Sequence, residues 1–159
     1  MEGAVIAATI TGLSGIGVFV VTKYLERRAV STAIFAEIQR LLTVITDHRD
    51  KWVEWKDKGE TERHPLVPFS CDVYQKHVSS LGLIAPKYVG KVVKFYGYVN
   101  FLNALQSTRE QYRQDKNETA FVNIYLASLE RIVRDFGEAF TEALEKHALA
   151  ARPGRSQQE

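Results

Sequence analysis

Cysteine is nearly absent. Cys71 is the only one among 159 residues, so no intrachain disulfide can form and no cysteine-based zinc site can be built. Nothing marks the chain as made for an oxidising compartment, which fits a domain facing the cytosol. The four histidines, His48, His64, His77 and His147, form no His-x-x-x-His or Glu-x-x-His pair, so a helical metal signature is missing. There is no glycine-rich phosphate loop, because Gly12, Gly15 and Gly17 lie inside an apolar run. Charge of one sign does not dominate either. A net charge of +2 gives no global signal for nucleic acid or an acidic substrate. The aromatics fall at core spacing, so a base-stacking surface is unsupported. These absences leave no cofactor, no metal, no nucleic-acid partner and no enzymatic reading.

The most informative absence is local. From Gly3 to Thr22 there is no charged residue. About 20 helical residues cover the ~30 Å hydrocarbon layer, and a helix satisfies its own backbone in lipid. Thr9, Thr11, Ser14 and Thr22 can bond back to helix carbonyls. A buried core helix and a cleaved signal peptide are the alternatives. A signal peptide needs a positive start and a small-residue cleavage site, and Met1-Glu2 and Lys23-Tyr24-Leu25 supply neither. The expectation is a retained single-pass anchor. Lys23, Arg27 and Arg28 follow it, with no cation before it, so the positive-inside rule puts the N-terminus out and the C-terminal domain in the cytoplasm. The membrane expected is then the inner (cytoplasmic) one. Lys23, Tyr24, Arg27 and Arg28 are the candidate headgroup contacts. Ala4, Ala8 and Gly12 recur four apart, with Thr11 and Gly15 in an adjoining row. Such small-residue faces let anchors approach closely, so self-association as a homo-oligomer is expected there.

The rest reads as helix. Lys23 to about Lys58 holds no Pro or Gly, and Ile34, Ile38, Leu41, Ile45, Trp52 and Trp55 mark one face. Glu37, Gln39, Arg40, Asp47 and Lys51 are placed largely off it. This helix can run unbroken out of the anchor, which puts Trp52 about 45 Å beyond Lys23 and makes both tryptophans core or interface residues. Gly59 should end it, and Glu60 to Phe69, with Pro65 and Pro68, read as loop. A short helix is expected over about 70–80. Leu81-Gly82-Leu83 reads as a stop, with Gly82 left-handed and Leu83 folded back. Pro86 opens a helix whose broad apolar surface (Val89, Val92, Val93, Tyr96, Val99, Leu102) predicts the central position. Gln106 to Glu118 is polar and expected to end it. The last helix spans about 119–149 with an apolar row from Phe121 and Ile124 to Leu144. The sum is an all-α chain: anchor 1–22, antiparallel bundle of three long helices and one short over 23–151, and disordered tail 152–159.

The run Tyr74, Leu81-Gly82-Leu83, Pro86, Val89, Val92-Val93 and Phe95-Tyr96 resembles a pattern in small bacterial membrane-anchored proteins of unknown function. In those, too, an anchor precedes a helical domain. The resemblance covers about a third of the chain and implies bacterial origin, with no activity to carry over. Ala85 departs from it, standing where a capping Ser, Asp or Thr belongs before Pro86.

Single residues read as structural. His48 sits on the seam of the first soluble helix, expected as a buried, hydrogen-bonded group, with a ligand or pH-sensing role as the alternative. Cys71 and His77 lie about 120° apart on one helix, which does not make a nucleophilic pair. Lys87, Lys91 and Lys94, with Lys76, form a solvated face that could also meet anionic lipid. Asn117-Glu118-Thr119 is a glycosylation triplet without meaning in the cytosol. The function expected is a membrane-tethered interaction or scaffold protein touching the bilayer and a protein partner. The alternative is a membrane-active effector, of toxin or phage-exclusion type, acting through anchor oligomerisation.

Overall fold

The computed structural model describes residues 2–61 and 65–150, with side chains over 18–61, 65–138 and at 140. All regular structure among them is helical. α1 spans Glu2–Lys58, α2 Asp72–His77, α3 Pro86–Ser107, α4 Arg109–Gln114 and α5 Glu118–Ala150. A 3-10 segment, Val78–Leu83, joins α2 to α3. The tail assigned to 152–159 lies outside the described residues.

α1 has 57 residues and passes the 22/23 boundary without a break, roughly 85 Å of helix. Among its described side chains, burial begins at Val30. From there Val30, Ile34, Ile38, Leu41, Ile45 and Trp52 are buried at steps of three, four or seven. The helix stops at Gly59, whose φ is +68°. The Glu60 N–H reaches Trp55 O at 2.8 Å and the Gly59 N–H reaches Lys56 O at 3.1 Å, closing the last turn around a left-handed glycine.

The stop expected at Gly82 is different. Gly82 does not have positive φ. Residues 78–83 wind as 3-10 helix instead, and Ile84 and Ala85 turn extended, with ψ of 148° and 130°. The cause is Pro86, whose ring bars helical geometry at the residue before it. Leu83 does pack back on the core. Pro86 then opens α3 without a side-chain cap from Ala85. The polar stretch after α3 is also not a plain turn. It forms α4, closed by Lys116 at φ +54° with the Asn117 N–H on Tyr112 O at 2.8 Å.

α3 is not the central helix. The densest packing is between α1 and α5. Phe35 meets Phe140, while Trp52 meets Phe121 and Tyr125. α3 covers one side of that pair: Phe95 packs on Phe136 and Phe140, and Tyr88 on Phe35. Its other side stays open, with Val93 and Phe101 exposed. Hydrophobic breadth on a helix therefore did not translate into coverage on all sides. Ile124 of α5, counted in the apolar row, is likewise exposed.

Candidate functional site

Two surfaces and two buried nodes stand out. The first surface is residues 18–29 of α1. Residues 18–29 are exposed without exception. Val18 (67%), Phe19 (62%), Val20 (58%) and Val21 (57%) are four consecutive apolar residues, and at 100° per residue they span about 300° of the helix. No single face of a soluble bundle calls for apolar groups all round a helix. The Thr22 hydroxyl donates to Val18 O at 2.8 Å, so its polarity is satisfied within the helix. α1 is long and apolar enough, by length and composition, to cross a membrane near the N-terminus. The apolar stretch within Val18–Lys58 runs into the packed half of α1, and 44% of it is buried in the protein. Val18–Val21 and Leu25 are the apolar residues of this stretch that no contact in the bundle covers.

Lys23, Tyr24, Arg27 and Arg28 follow immediately and are all exposed. Their spacing of one, four and five puts them on one flank of α1. Lys23 pairs with Glu26 at 2.8 Å, an exposed pair that holds little energy. Ala4, Ala8, Thr11, Gly12 and Gly15 belong to α1, but their side chains lie outside the described residues.

The second surface is a furrow between α3 and α5 with a volume of about 760 Å³. Lys94, Gly97, Tyr98 and Phe101 line it from α3, and Ile124, Ala127, Ser128 and Arg131 from α5. The Arg131 guanidinium lies over the Tyr98 ring at 5.1 Å. A Cβ placed on Gly97 or on Gly90 would touch nothing within 4 Å. A glycine inside a helix costs roughly 1 kcal/mol relative to alanine, and no local crowding accounts for either one. Lys87 and Lys91 are exposed as expected, and Lys87 sits over Tyr88 at 4.8 Å.

The first buried node is Glu37, which overturns its placement off the packed face. It is 5% exposed. Its carboxylate accepts the Val73 and Tyr74 N–H groups at 2.8 and 2.9 Å and the Tyr96 hydroxyl at 2.6 Å. α2 has no side-chain cap of its own, so Glu37 caps it from another helix. Burial first, and the hydrogen bond to Glu37 second, push the Tyr96 hydroxyl far above its ordinary range, so it stays a donor. Tyr96 also stacks on Tyr74 at 3.9 Å. The signal was in the spacing: Glu37 lies between Ile34 and Leu41, three and four residues away, inside the apolar arc.

Beside this node, Cys71 is buried and donates to Phe69 O at 3.7 Å. Burial, with the nearby Glu37 charge, pushes its thiol up to about 11. A protonated, buried thiol is a core residue, not a nucleophile.

The second node surrounds His48, which is half-buried against Trp52, Phe69 and Tyr125 at ring distances of 6.1, 5.7 and 5.8 Å. Its Nε2 has no protein partner, so the hydrogen-bonded role expected for it is not seen at that atom. Desolvation, then the Lys51 charge, lowers its pKa. Gln106 donates to the Tyr125 hydroxyl at 2.7 Å. Arg109 closes the end of the core. It lies over Trp52 at 5.3 Å and pairs with Glu118 at 2.8 Å. The polar stretch 106–118 carried no sign that it would fold onto the tryptophan.

Among the described residues, no group of three or more His, Cys, Asp or Glu side chains could hold a metal ion. No protein-family model, no curated protein and no solved structure matches the chain.

Proposed function

We propose that this chain is a membrane-tethered helical interaction protein. In this reading the run from Gly3 to Thr22 crosses the bacterial cytoplasmic membrane once. Residues 23–151 form an antiparallel bundle on the cytoplasmic side and present a surface to a protein partner. The observation that carries it is the ring of uncovered apolar side chains at Val18–Val21, followed at once by Lys23, Arg27 and Arg28. Apolar groups exposed all round a helix are unfavourable in water and favourable in lipid. The cations are then held at the headgroups, each attracted by about 1 kcal/mol to an anionic leaflet. The order of ring pairs, Phe35 with Phe140 and Trp52 with Phe121, supports the antiparallel arrangement.

Carbonate extraction of cell membranes tests the tether. The full chain should stay in the pellet. Leu13→Arg, at the middle of the uncharged run, should release it, since a central Arg costs ~2.5–3.5 kcal/mol on insertion scales. Release of the unmodified chain by carbonate would refute the tether. Protease added to inside-out vesicles should digest the bundle, and protection there would reverse the orientation.

A further inference from the structure

We propose that the corner between α2 and α3, from Lys76 to Lys91, is a second membrane contact that docks on anionic headgroups of the leaflet from which the chain emerges. The inference rests on the reading of α1 as a membrane anchor and adds to it a docked face and a class of lipid.

α2 runs toward the anchor and α3 away from it. Arg40 donates to Ser70 O and Glu37 accepts the Tyr74 N–H, so the chain descends along α1 as its own numbering rises. α3 then climbs, with Tyr88 at Phe35 and Arg109 at Trp52. The corner between them therefore lies at the end of the bundle that faces the anchor. That end stands close to the bilayer. Thr22 closes the uncharged run, and Val30, the first buried side chain described, follows about 12 Å later along the helix. Headgroups occupy ~5–8 Å on each side of a bilayer, so only a few ångströms are left beneath the bundle. Tyr24, Arg28 and Phe35 stand four and seven residues apart, which puts them on one side of α1, the side on which Tyr88 packs. The cations of α1 and the corner thus overhang the same patch of leaflet.

The composition of the corner suits that position. From Val78 to Pro86 no residue is charged, and Val78 (49%), Gly82, Ala85 and Pro86 are exposed. Exposed Lys76 precedes this tip, and exposed Lys87 and Lys91 follow it. Between Asp72 and Glu110 the chain has no Asp or Glu, so no carboxylate of the corner offsets these cations. A small apolar tip between lysines fits the headgroup layer, which admits apolar atoms and attracts positive charge. The acids near this end lie elsewhere. Glu26 pairs with Lys23, and Glu37 is buried. On α5, Asp135 pairs with Arg131 and Arg134, Glu138 is exposed, and Glu142 and Glu145 follow in sequence. An anionic surface repels the α5 side and attracts the corner, so the bundle leans onto the corner. An acidic protein would suit the same cations, but lipid is the anion that the anchor holds beneath them.

The test reconstitutes the full chain in bilayers of phosphatidylcholine, with or without about one third phosphatidylglycerol. Val78→Cys carries an NBD fluorophore, and the buried Cys71 does not compete for it. Nitroxide lipids labelled just below the headgroup should quench the fluorophore in the anionic bilayer and several-fold less in the neutral one. Each lysine should raise occupancy of the docked pose about fivefold. Lys76→Glu, Lys87→Glu and Lys91→Glu together should therefore bring quenching down to the neutral level, and Gln at the same positions should fall between. All three side chains are exposed, so the unfolding midpoint should not move. Salt near ~1 M, where the Debye length is ~3 Å, should act like the charge reversal. Equal quenching in both bilayers, none in either, or quenching indifferent to the lysines overturns the proposal. So does a label shielded in native membranes but bare in the lipid bilayers, which would assign the corner to a protein. Flotation with the vesicles is read separately. A chain that floats with an unquenched label refutes the corner alone, and one that does not float refutes the tether with it.

Discussion

α1 is one helix with two surfaces. Over residues 18–29 every side chain faces outward, and the apolar ones do so on all sides. From Val30 to Trp52 a single face is buried while the opposite one, with Gln39, Arg40, Asp47 and Lys51, stays in water. The backbone is the same in both halves, so secondary structure alone cannot tell them apart. What differs is the order of side chains. Over Val18–Val21 no polar residue interrupts the circumference, whereas from Val30 on Gln39, Arg40, Asp47 and Lys51 hold one side of the helix in water.

The sharpest test of this division is a pair of truncations. Trp52 is fully buried and touches Trp55, Phe121, Tyr125 and His48. Trp52→Ala should destabilise the bundle by about 3–5 kcal/mol in urea unfolding. Phe19→Ala should change the same quantity by less than about 0.5 kcal/mol, because nothing in the described bundle packs on it. Equal effects would show that the two halves are one folding unit and break the comparison.

Next in size is Glu37, the polar residue that the packed half buries. Glu37→Ala leaves the Val73 and Tyr74 amides and the Tyr96 hydroxyl without their acceptor. Hydrogen bonds to a charged group are worth ~1.5–3 kcal/mol each and are not additive, so a loss of about 3 kcal/mol is expected. Glu37→Gln, which keeps an acceptor oxygen, should lose about half of that. Amide exchange at Val73 and Tyr74 should rise in both variants. If α2 exchanges no faster, the carboxylate is not its cap.

Glu37 also marks how far the sequence could be read. Helix positions and the buried rows of α1 and α5 were legible, because the period of 3.6 is written in residues such as Ile34, Ile38, Leu41, Phe121, Tyr125 and Leu129. The stop at Gly59 was legible for the same local reason. Tertiary partners were not. Nothing in the periodicity says that Glu37 meets two amides some 36 residues away, or that Arg109 folds over Trp52. The open side of α3 was also hidden. Its apolar breadth looks the same whether a neighbour in the chain covers it or a partner does. For that reason the furrow, with Ile124 on its edge, escaped the sequence reading, while Lys94 was noticed only as part of a basic face.

A smaller effect is expected where the packed half ends. Gly59 at φ +68° has open space around it, so Gly59→Ala meets backbone strain alone. It should cost about 1 kcal/mol. Lys116, a non-glycine at φ +54°, is the reverse case, and Lys116→Gly should gain up to about 1 kcal/mol. Thermal unfolding of the two variants should move in opposite directions. Movement in the same direction would mean that left-handed geometry does not set these stops.

The smallest effect separates the two halves by pH. His48 belongs to the packed half, and burial with the Lys51 charge lowers its pKa from 6.5. In the unfolded chain it takes up a proton near 6.5, while in the folded chain it stays neutral to lower pH. The unfolded state then binds more protons, and stability falls as pH drops below 6.5 toward the folded value. The wild type should therefore lose a little stability between pH 7 and pH 5 that His48→Phe does not lose. The uncovered half has no histidine, so membrane retention should be level across the same range. A pH dependence of retention that followed His48 would join the two halves energetically, through the one continuous helix that links them.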